Sequence, residues 1–275
     1  MLKPVVAALA LTLTLPVSAI AQERASHCIA IADAAPGVDY LHKANFRAPL
    51  DDFTVRISYL DHAMFLIQTE GGLSAVTDYT GFLGTAPFTP TVATMNNAHS
   101  THWTPSPDPE IPHVLKGWAE DGIPAEHRLD LDELYVRNVP TDVRGGFSGT
   151  VRENGNSIFV FEVAGLCIGH LGHLHHEPDE MQYAALGRLD VVMAAVDGGI
   201  TLDLPSMTRV LKRLRSSIVI PMHWFSLSSL ERFIAGMEDE FAIRREGPTS
   251  LEVSLATLPE RPTVVVLTPQ FLRDE

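Results

Sequence analysis

The chain is poor in cysteine and in basic residues, and both shortages exclude classes of function. It has two cysteines, Cys28 and Cys167, and 20 Lys and Arg residues against 34 Asp and Glu residues. Two cysteines are too few for a zinc-ribbon site, which needs more thiolate ligands. A net charge of −14 makes nucleic acid an unexpected partner, because an acidic surface repels phosphate backbones.

Long apolar runs are also missing after the first residues. The N-terminus reads MLKPVVAALALTLTLPVSAIAQE, with one early lysine, an apolar run and the A-x-A site Ala19-Ile20-Ala21. Residues 1–21 are therefore predicted to be a cleaved signal peptide. The alternative is an uncleaved anchor, although the run is short for a membrane span and Pro16 interrupts it. We expect a periplasmic or secreted protein without stable membrane insertion after cleavage.

Export makes a disulfide between Cys28 and Cys167 permissible. Cys167 lies in an apolar segment, where a free buried thiol is equally natural, so both alternatives stay open. Residues 22–50 are interpreted as an N-terminal arm, and residues 51–270 as one domain. Two loops near the expected site, 79–90 and 103–128, are the predicted determinants of specificity.

The pattern of segments predicts the fold class. The first half is rich in alternating strand-like runs such as FTVRISYL, MFLIQT and SIFVFEV, and Gly-Gly at 71–72 and Gly165 indicate hairpins. HVLKGWAE (113–120) is interpreted as a short helix. After residue 178, helical segments alternate with the apolar strands DVVMAAV and SIVIPMHW. This order predicts an α/β (α+β) protein with two packed sheets and helices outside.

Histidine, by contrast, is abundant and clustered. Four of the twelve histidines lie in GHLGHLHH (169–176). His99 and His102 follow another predicted strand, and His223 follows a third. Strand ends can meet at one edge of a sheet, and imidazole is a common ligand of divalent transition metals. The sequence therefore predicts a zinc-type site with room for water, whereas His27, His42, His113 and His127 are interpreted as ordinary hydrogen-bonded residues.

Six motifs in order resemble the metallo-β-lactamase superfamily, specifically its lactonase-like branch of metal-dependent hydrolases. They are ISYLDHAMFLIQTEGG (57–72), AVTD (75–78), NAHSTH (97–102), CIGHLGHLHH (167–176), VDGGITLD (196–203) and VIPMHW (219–224). The resemblance implies an αββα four-layer sandwich with its active site at one edge. It also implies two adjacent metal ions, commonly zinc, holding a hydroxide that attacks an ester, lactone, amide or phosphoester.

The chain departs from the family pattern at several ligand positions. Asn97 replaces the first histidine of the motif H-x-H-x-D-H, and Thr101 replaces its aspartate. His173 stands where the family has a bridging aspartate, and a neutral imidazole cannot bridge two cations as a carboxylate does. The loop NVPTDVRGG lacks the family's histidine and offers only Asp142.

The ligand residues that match the family pattern are enough for one tightly bound divalent ion rather than two. Zinc is the expected metal, with iron or manganese as alternatives. The predicted metal ligands are His99, His102, His173 and His223, with His170 as a fifth. Asp78 is expected to orient a ligand imidazole. His175 and His176 are expected to bind substrate or move protons, and His62 to lie near the pocket. The general acid is left open among His175, His176 and Asp197. The predicted function is an exported hydrolase acting on a small molecule, and the alternative is a non-catalytic metal- or ligand-binding protein on the same fold.

Overall fold

Two β-sheets packed face to face form the body of the protein in the computed structural model, which describes residues 24–30, 45–145, 150–245 and 247–274. The signal peptide predicted at 1–21 lies outside these residues. No helix within the described ranges is long and apolar enough to cross a membrane.

The first sheet has six strands in the order β13-β1-β2-β3-β4-β5. Their bounds are β1 Val55–Asp61, β2 Met64–Gln68, β3 Ser74–Val76, β4 Val92–Met95, β5 His113–Lys116 and β13 Ser250–Val253. The strands β1, β2 and β3 form an antiparallel meander, and β4 and β5 continue it in parallel. The hairpin expected at residues 71–72 joins β2 to β3.

The second sheet has eight strands in the order β12-β14-β11-β10-β9-β8-β7-β6. Their bounds are β6 Arg128–Asp130, β7 Leu134–Arg144, β8 Val151–Val163, β9 Leu166–His170, β10 Val191–Ala195, β11 Ile218–Met222, β12 Ala242–Arg244 and β14 Thr263–Val265. The strands β9, β10 and β11 run parallel, so their carboxyl ends share one edge.

The helices are α1 His27–Ala30, α2 Glu180–Leu186, α3 Leu204–Leu214 and α4 Leu227–Met237, with a 3₁₀ turn at Leu255–Thr257. Asp203 caps α3 by accepting from the Ser206 amide, and Pro205 occupies its first turn. The buried faces of α3 and α4 pack on the outer side of the second sheet.

Apolar residues that alternate along the strands fill the space between the sheets. Ile57 and Phe65 of the first sheet share one buried cluster with Phe161 and Met193 of the second. A separate cluster on the outer side of the first sheet is covered, within the described residues, by loops that carry Trp103 and Trp118. The two-sheet α/β sandwich is confirmed, and its outer layer on this side is irregular.

The described part of the N-terminal arm is bonded to the second sheet. Cys28 and Cys167 form a disulfide, with their Cα atoms 5.8 Å apart. Next to it, the buried carboxylate of Glu162 accepts hydrogen bonds from Ser26 and from Arg137. The disulfide alternative is therefore the one the structure contains.

One secondary-structure prediction was wrong. Residues 113–116 of HVLKGWAE form strand β5, which pairs with β4 in parallel. The Gly117 amide then donates to the carbonyl of Met95. Four residues with two central apolar side chains fit either structure locally, and the neighbouring strand supplied the hydrogen bonds that decided it.

Candidate metal centre

The site lies at the edge where the parallel strands end. Asp78 follows β3, His173 follows β9, Asp197 follows β10 and His223 follows β11, while His102 comes from the loop after β4. His62 reaches the same place from the turn between β1 and β2. The topology thus brings residues from both sheets to one edge, as expected for open α/β sheets.

Two carboxylates fix the orientation of two of these imidazoles. Asp78 Oδ2 lies 2.5 Å from Nδ1 of His102, and both side chains are fully buried. Asp197 Oδ2 lies 3.0 Å from Nδ1 of His223, although the N–H is poorly aligned for a hydrogen bond. Each carboxylate favours the tautomer with its proton on Nδ1, which leaves the lone pair on Nε2.

Those two lone pairs face each other. Nε2 of His102 and Nε2 of His223 are 3.2 Å apart. Two acceptor nitrogens at this distance repel each other unless a proton or a metal cation lies between them. This buried, unfavourable arrangement is the best single indication of a cation site in the described part of the chain.

Two further histidines complete the group. His173 Nδ1 lies 2.8 Å from His102 Nε2. Nε2 of His62 is buried without a hydrogen-bond partner among the described residues, and ligand atoms of His62, His102 and His223 all lie within 4.8 Å of one another. The ligand atoms of His62, His102 and His223 therefore share one small volume, and His173 lies beside it at His102.

The spacing of these nitrogens fits a divalent metal. Zinc–nitrogen bonds of ~2.0–2.1 Å place two ligand nitrogens about 3.3 Å apart at a tetrahedral angle and about 2.9 Å apart at a right angle. The observed 3.2 Å and 2.8 Å lie close to these values. Neutral imidazole is also the borderline donor that zinc, iron and copper accept.

Burial keeps these imidazoles in the neutral form that binds metal. Desolvation, followed by the neighbouring histidines, lowers the pKa of His62 to about 3 and that of His173 to about 2. The same causes lower the pKa of His102 well below its ordinary value. Burial raises the pKa of Asp78 to about 7, because its charge is removed from water.

Asp197 has a different environment. Burial would raise the pKa of Asp197, but the contact with His223 and hydrogen bonds from Thr201 and the Gly199 amide outweigh it and hold the pKa below its usual range. A carboxylate that accepts so many hydrogen bonds stays ionised at neutral pH. Asp197, which the sequence left open as general acid, is therefore unsuited to donate a proton.

A correction applies to His170, which was predicted as a metal ligand. Its Nε2 lies 2.8 Å from the carbonyl of Ala63, and its Nδ1 lies 3.0 Å from Nδ2 of Asn96. Because the carbonyl requires a donor and the amide nitrogen supplies one, Nε2 carries the proton and Nδ1 accepts. Both ring nitrogens are thus committed, and His170 ties the end of β9 to the β1–β2 turn.

Gly172 shows how tightly this support is packed. Its φ is +60°, and a Cβ built there would lie 2.3 Å from Asn96 Nδ2 and 2.7 Å from Asn156 Oδ1. Asn156 Oδ1 accepts from the amide of His173. A glycine is required here because a side chain would displace two of the amides that position the site.

The other predicted residues lie around the group. His99 is exposed, with its ring centroid 5.3 Å from that of His173 and its Nδ1 3.2 Å from Thr101 Oγ1. His175 Nδ1 accepts from the Arg144 amide, and its Nε2 is buried without a partner among the described residues. His176 is exposed. Asp142, considered for a missing ligand, accepts instead from the amide of Asn154.

Comparison with known proteins assigns the family. A family model described as the β-lactamase superfamily domain matches residues 56–223, more than half of the chain. The chain belongs to the β-lactamase superfamily. No curated protein matches the chain.

Solved structures of the metallo-β-lactamase fold are similar to this superfamily member. A candidate zinc-dependent hydrolase from Thermotoga maritima has 23% identity and a TM-score of 0.56, over 78% of this chain and 100% of that one. A metallo hydrolase from Ignicoccus hospitalis has 18% identity and a TM-score of 0.54, over 73% of this chain and 99% of that one. A candidate metal-dependent hydrolase from Parabacteroides distasonis has 13% identity and a TM-score of 0.56, over 78% of this chain and 94% of that one. At these identities the likeness shows the fold, which confirms the sandwich.

His62, which the sequence places only near the pocket, lies among the imidazoles in the structure. Arg152, whose guanidinium contacts Asn97, has no role predicted from the sequence. A signal for His62 was present, because it lies inside the quoted motif at residues 57–72. No local pattern marks Arg152, since its contact with Asn97 joins residues 55 positions apart.

Proposed function

We propose that this protein is a metal-dependent hydrolase that holds one divalent ion among His62, His102 and His223, with His173 beside His102. The observation that carries the proposal is the pair of facing Nε2 lone pairs on His102 and His223, 3.2 Å apart. Superfamily membership supports it. Zinc is the expected metal, with iron or manganese as alternatives.

Backbone strain at the site supports a functional role. His62, Asp78 and His223 have φ values of 41°, 43° and 57°, a region that residues other than glycine seldom adopt. Such conformations cost about 1 kcal/mol or more each and tend to cluster at active sites, where the geometry is under selection. Three of the nine such non-glycine residues in the described ranges lie at this one sheet edge, which supports a functional role for it.

The chain's own residues have distinct roles in this proposal. A divalent metal held by these imidazoles would supply Lewis acidity and would lower the pKa of a water ligand towards neutral. Asp78 and Asp197 hold the protons of His102 and His223 on Nδ1. His175 accepts the Arg144 amide at Nδ1, so its neutral ring carries a proton on Nε2 and can donate to a substrate oxygen.

The substrate class follows from the resemblance and remains a proposal: an ester, lactone, amide or phosphoester of a small molecule, as in the lactonase-like branch. His176 is exposed beside His175 and is proposed to contact the substrate. His99 is proposed to lie at the rim, where its ring contacts His173.

A second candidate function is a non-catalytic metal- or ligand-binding protein on the same fold. The specific observation favouring it is the use of Asn97, which binds a guanidinium at a position where the family has a metal ligand. A former hydrolase that has lost its activity would have such a site, in which the ligands for one of the two metal ions are missing.

We also propose that the protein is exported to the periplasm or secreted. The disulfide between Cys28 and Cys167 supports this, because such bonds persist in oxidising compartments. Alkylation of thiols in freshly lysed cells tests it: protected thiols are expected, and two free thiols would contradict it. N-terminal sequencing is expected to find Gln22 first.

The deciding experiment measures metal content and metal affinity of the purified chain, with His102→Ala as the variant and His113→Ala as the control. His113 lies on β5, outside the imidazole group. About one equivalent of metal is expected in the wild type and the control, and a large loss in His102→Ala. The metal-loaded protein is then assayed on esters, lactones, amides and phosphodiesters.

The outcomes separate the two functions. Metal-dependent turnover that His102→Ala abolishes supports the hydrolase. Stoichiometric metal without turnover on any substrate class supports the binding protein. Wild-type protein that takes up no zinc, iron or manganese contradicts both the hydrolase and the metal-binding form of the alternative.

A further inference from the structure

Arg152 lies beside the imidazole group, where its positive charge adds to the charge of the site. It lies near the start of β8, and its Nη2 donates to Oδ1 of Asn97 and, at 3.2 Å, to the carbonyl of Gly155. By the motif resemblance, Asn97 occupies the place of the first metal-binding histidine. A guanidinium therefore binds the residue that elsewhere in the superfamily would hold a cation.

Two asparagines connect this guanidinium to the metal-binding group. Asn97 is buried and forms a β-bridge with Asn156. Asn156 Oδ1 accepts the amide of His173 at 2.8 Å. Arg152 is thus held at a defined place relative to His173, although part of its side chain stays exposed to solvent.

Arg152 also retains free donors. Its Nε and Nη1 have no hydrogen-bond or ion-pair partner within the described ranges, whereas the Nη2 of Arg144 donates to three backbone carbonyls at 199–201. The nearby carboxylates Asp78 and Asp197 are both turned towards imidazoles. Neutral histidines do not offset a bound divalent cation and Asp197 supplies one negative charge, so the guanidinium of Arg152 adds to the positive charge that remains at the loaded site.

We propose that Arg152 is a specificity-determining residue that binds an anionic group of the substrate, a carboxylate or a phosphoryl oxygen. Guanidinium matches both groups, because its planar donors pair with two oxygens at once. The proposal rests on the proposed hydrolase function and narrows its substrate class to anions. The metal centre and Arg152 would hold the two ends of such a substrate.

The first test compares Arg152→Gln with wild type on 4-nitrophenyl substrates that differ in charge: a neutral acetate, a hemisuccinate with a free carboxylate, and a phosphodiester. We expect kcat/KM to fall by about tenfold or more on one or both anionic substrates, mainly through KM, as for a lost charge-assisted hydrogen bond. We expect little change on the acetate. Arg213→Gln, on α3 and paired with Glu180, is the matched control.

The two anionic substrates distinguish the two chemistries. A loss confined to the hemisuccinate assigns a carboxylate ligand, and a loss confined to the phosphodiester assigns a phosphoryl ligand. An equal loss on the neutral and anionic substrates would overturn the proposal, because it would mean that Arg152 only supports the site. The same loss in Arg213→Gln would overturn it too.

A second readout is independent of turnover. Binding of inorganic phosphate to the metal-free protein is measured by calorimetry in wild type, Arg152→Gln, Arg152→Lys and Arg213→Gln. We expect binding by wild type and the control, weaker binding by the lysine variant, and the weakest by the glutamine variant. Equal binding by all four, or none by wild type, would overturn the proposal.

Absence of turnover on every substrate would contradict the proposed hydrolase and leave phosphate binding as the test of Arg152. Thermal unfolding of each variant checks that it is folded.

Discussion

Replacing Asp78 by Asn tests how the carboxylate prepares the metal site. Asp78 Oδ1 accepts the Asn96 amide at 2.9 Å, and Oδ2 faces Nδ1 of His102 at 2.5 Å. Asparagine has the same shape but only one acceptor oxygen. Either the backbone N–H of Asn96 or the Nδ1–H of His102 would therefore face the NH₂ group of the new asparagine. In the second case His102 would lose the acceptor that keeps its proton on Nδ1.

The expected loss is in metal affinity. If the proton of His102 moves to Nε2, the lone pair that faces His223 is blocked. Substitution of residues that orient metal ligands costs about 10–100-fold in affinity. That factor corresponds to about 1.4–2.8 kcal/mol of binding free energy. Because Asp78 is fully buried, water cannot replace the lost acceptor.

The assay is zinc competition against a chromophoric chelator at neutral pH. The control is Asp203→Asn, which changes the carboxylate that caps α3 away from the site. The control is expected to bind zinc like the wild type. Wild-type affinity in Asp78→Asn, with an unchanged fold by circular dichroism, would refute the reasoning that the carboxylate sets the tautomer of His102.

Three more predictions concern packing, the disulfide and pH. Gly172→Ala should weaken zinc binding at least about tenfold in the same assay, because a Cβ there meets Asn96. The control is Gly122→Ala, at a glycine that also has positive φ but open space around it, and it should bind zinc like the wild type. Equal losses in the two variants would mean that backbone strain alone is responsible. Replacing both cysteines by serine should lower the free energy of unfolding by about 2–4 kcal/mol in a urea titration, because the bond closes a long loop; an unchanged midpoint would contradict this. Metal-free protein should lose thermal stability as the pH falls below about 6.5, where an unfolded histidine gains its proton. Burial lowers the pKa of five folded-state histidines, among them His62 to about 3, His173 to about 2 and His175 to about 4. The unfolded chain then binds more protons, so stability rises with pH. Asp78, with a pKa raised to about 7, opposes this with one proton only. A melting temperature that rises on acidification from pH 7 to 5 would contradict the balance.

Local sequence was sufficient for the strands and for the edge where the site lies. Alternating or continuous apolar runs predicted β1, β2 and β8 to β11, because strand formation there depends on side chains that face a core. The positions of His102, His173 and His223 directly after strand-forming segments predicted their convergence, since parallel strands end at a common edge. The order of motifs predicted the superfamily.

Tertiary structure alone decided which imidazoles face one another. His170 and His173 are three residues apart and chemically identical. Only His170 hydrogen-bonds to the carbonyl of Ala63, a residue 107 positions away in the chain. The contact of Arg152 with Asn97 likewise joins distant segments. Hydrogen-bond partners of this kind come from strands that meet only when the two sheets pack, so residue type and spacing determine where ligands can be found and packing determines which of them are free to bind.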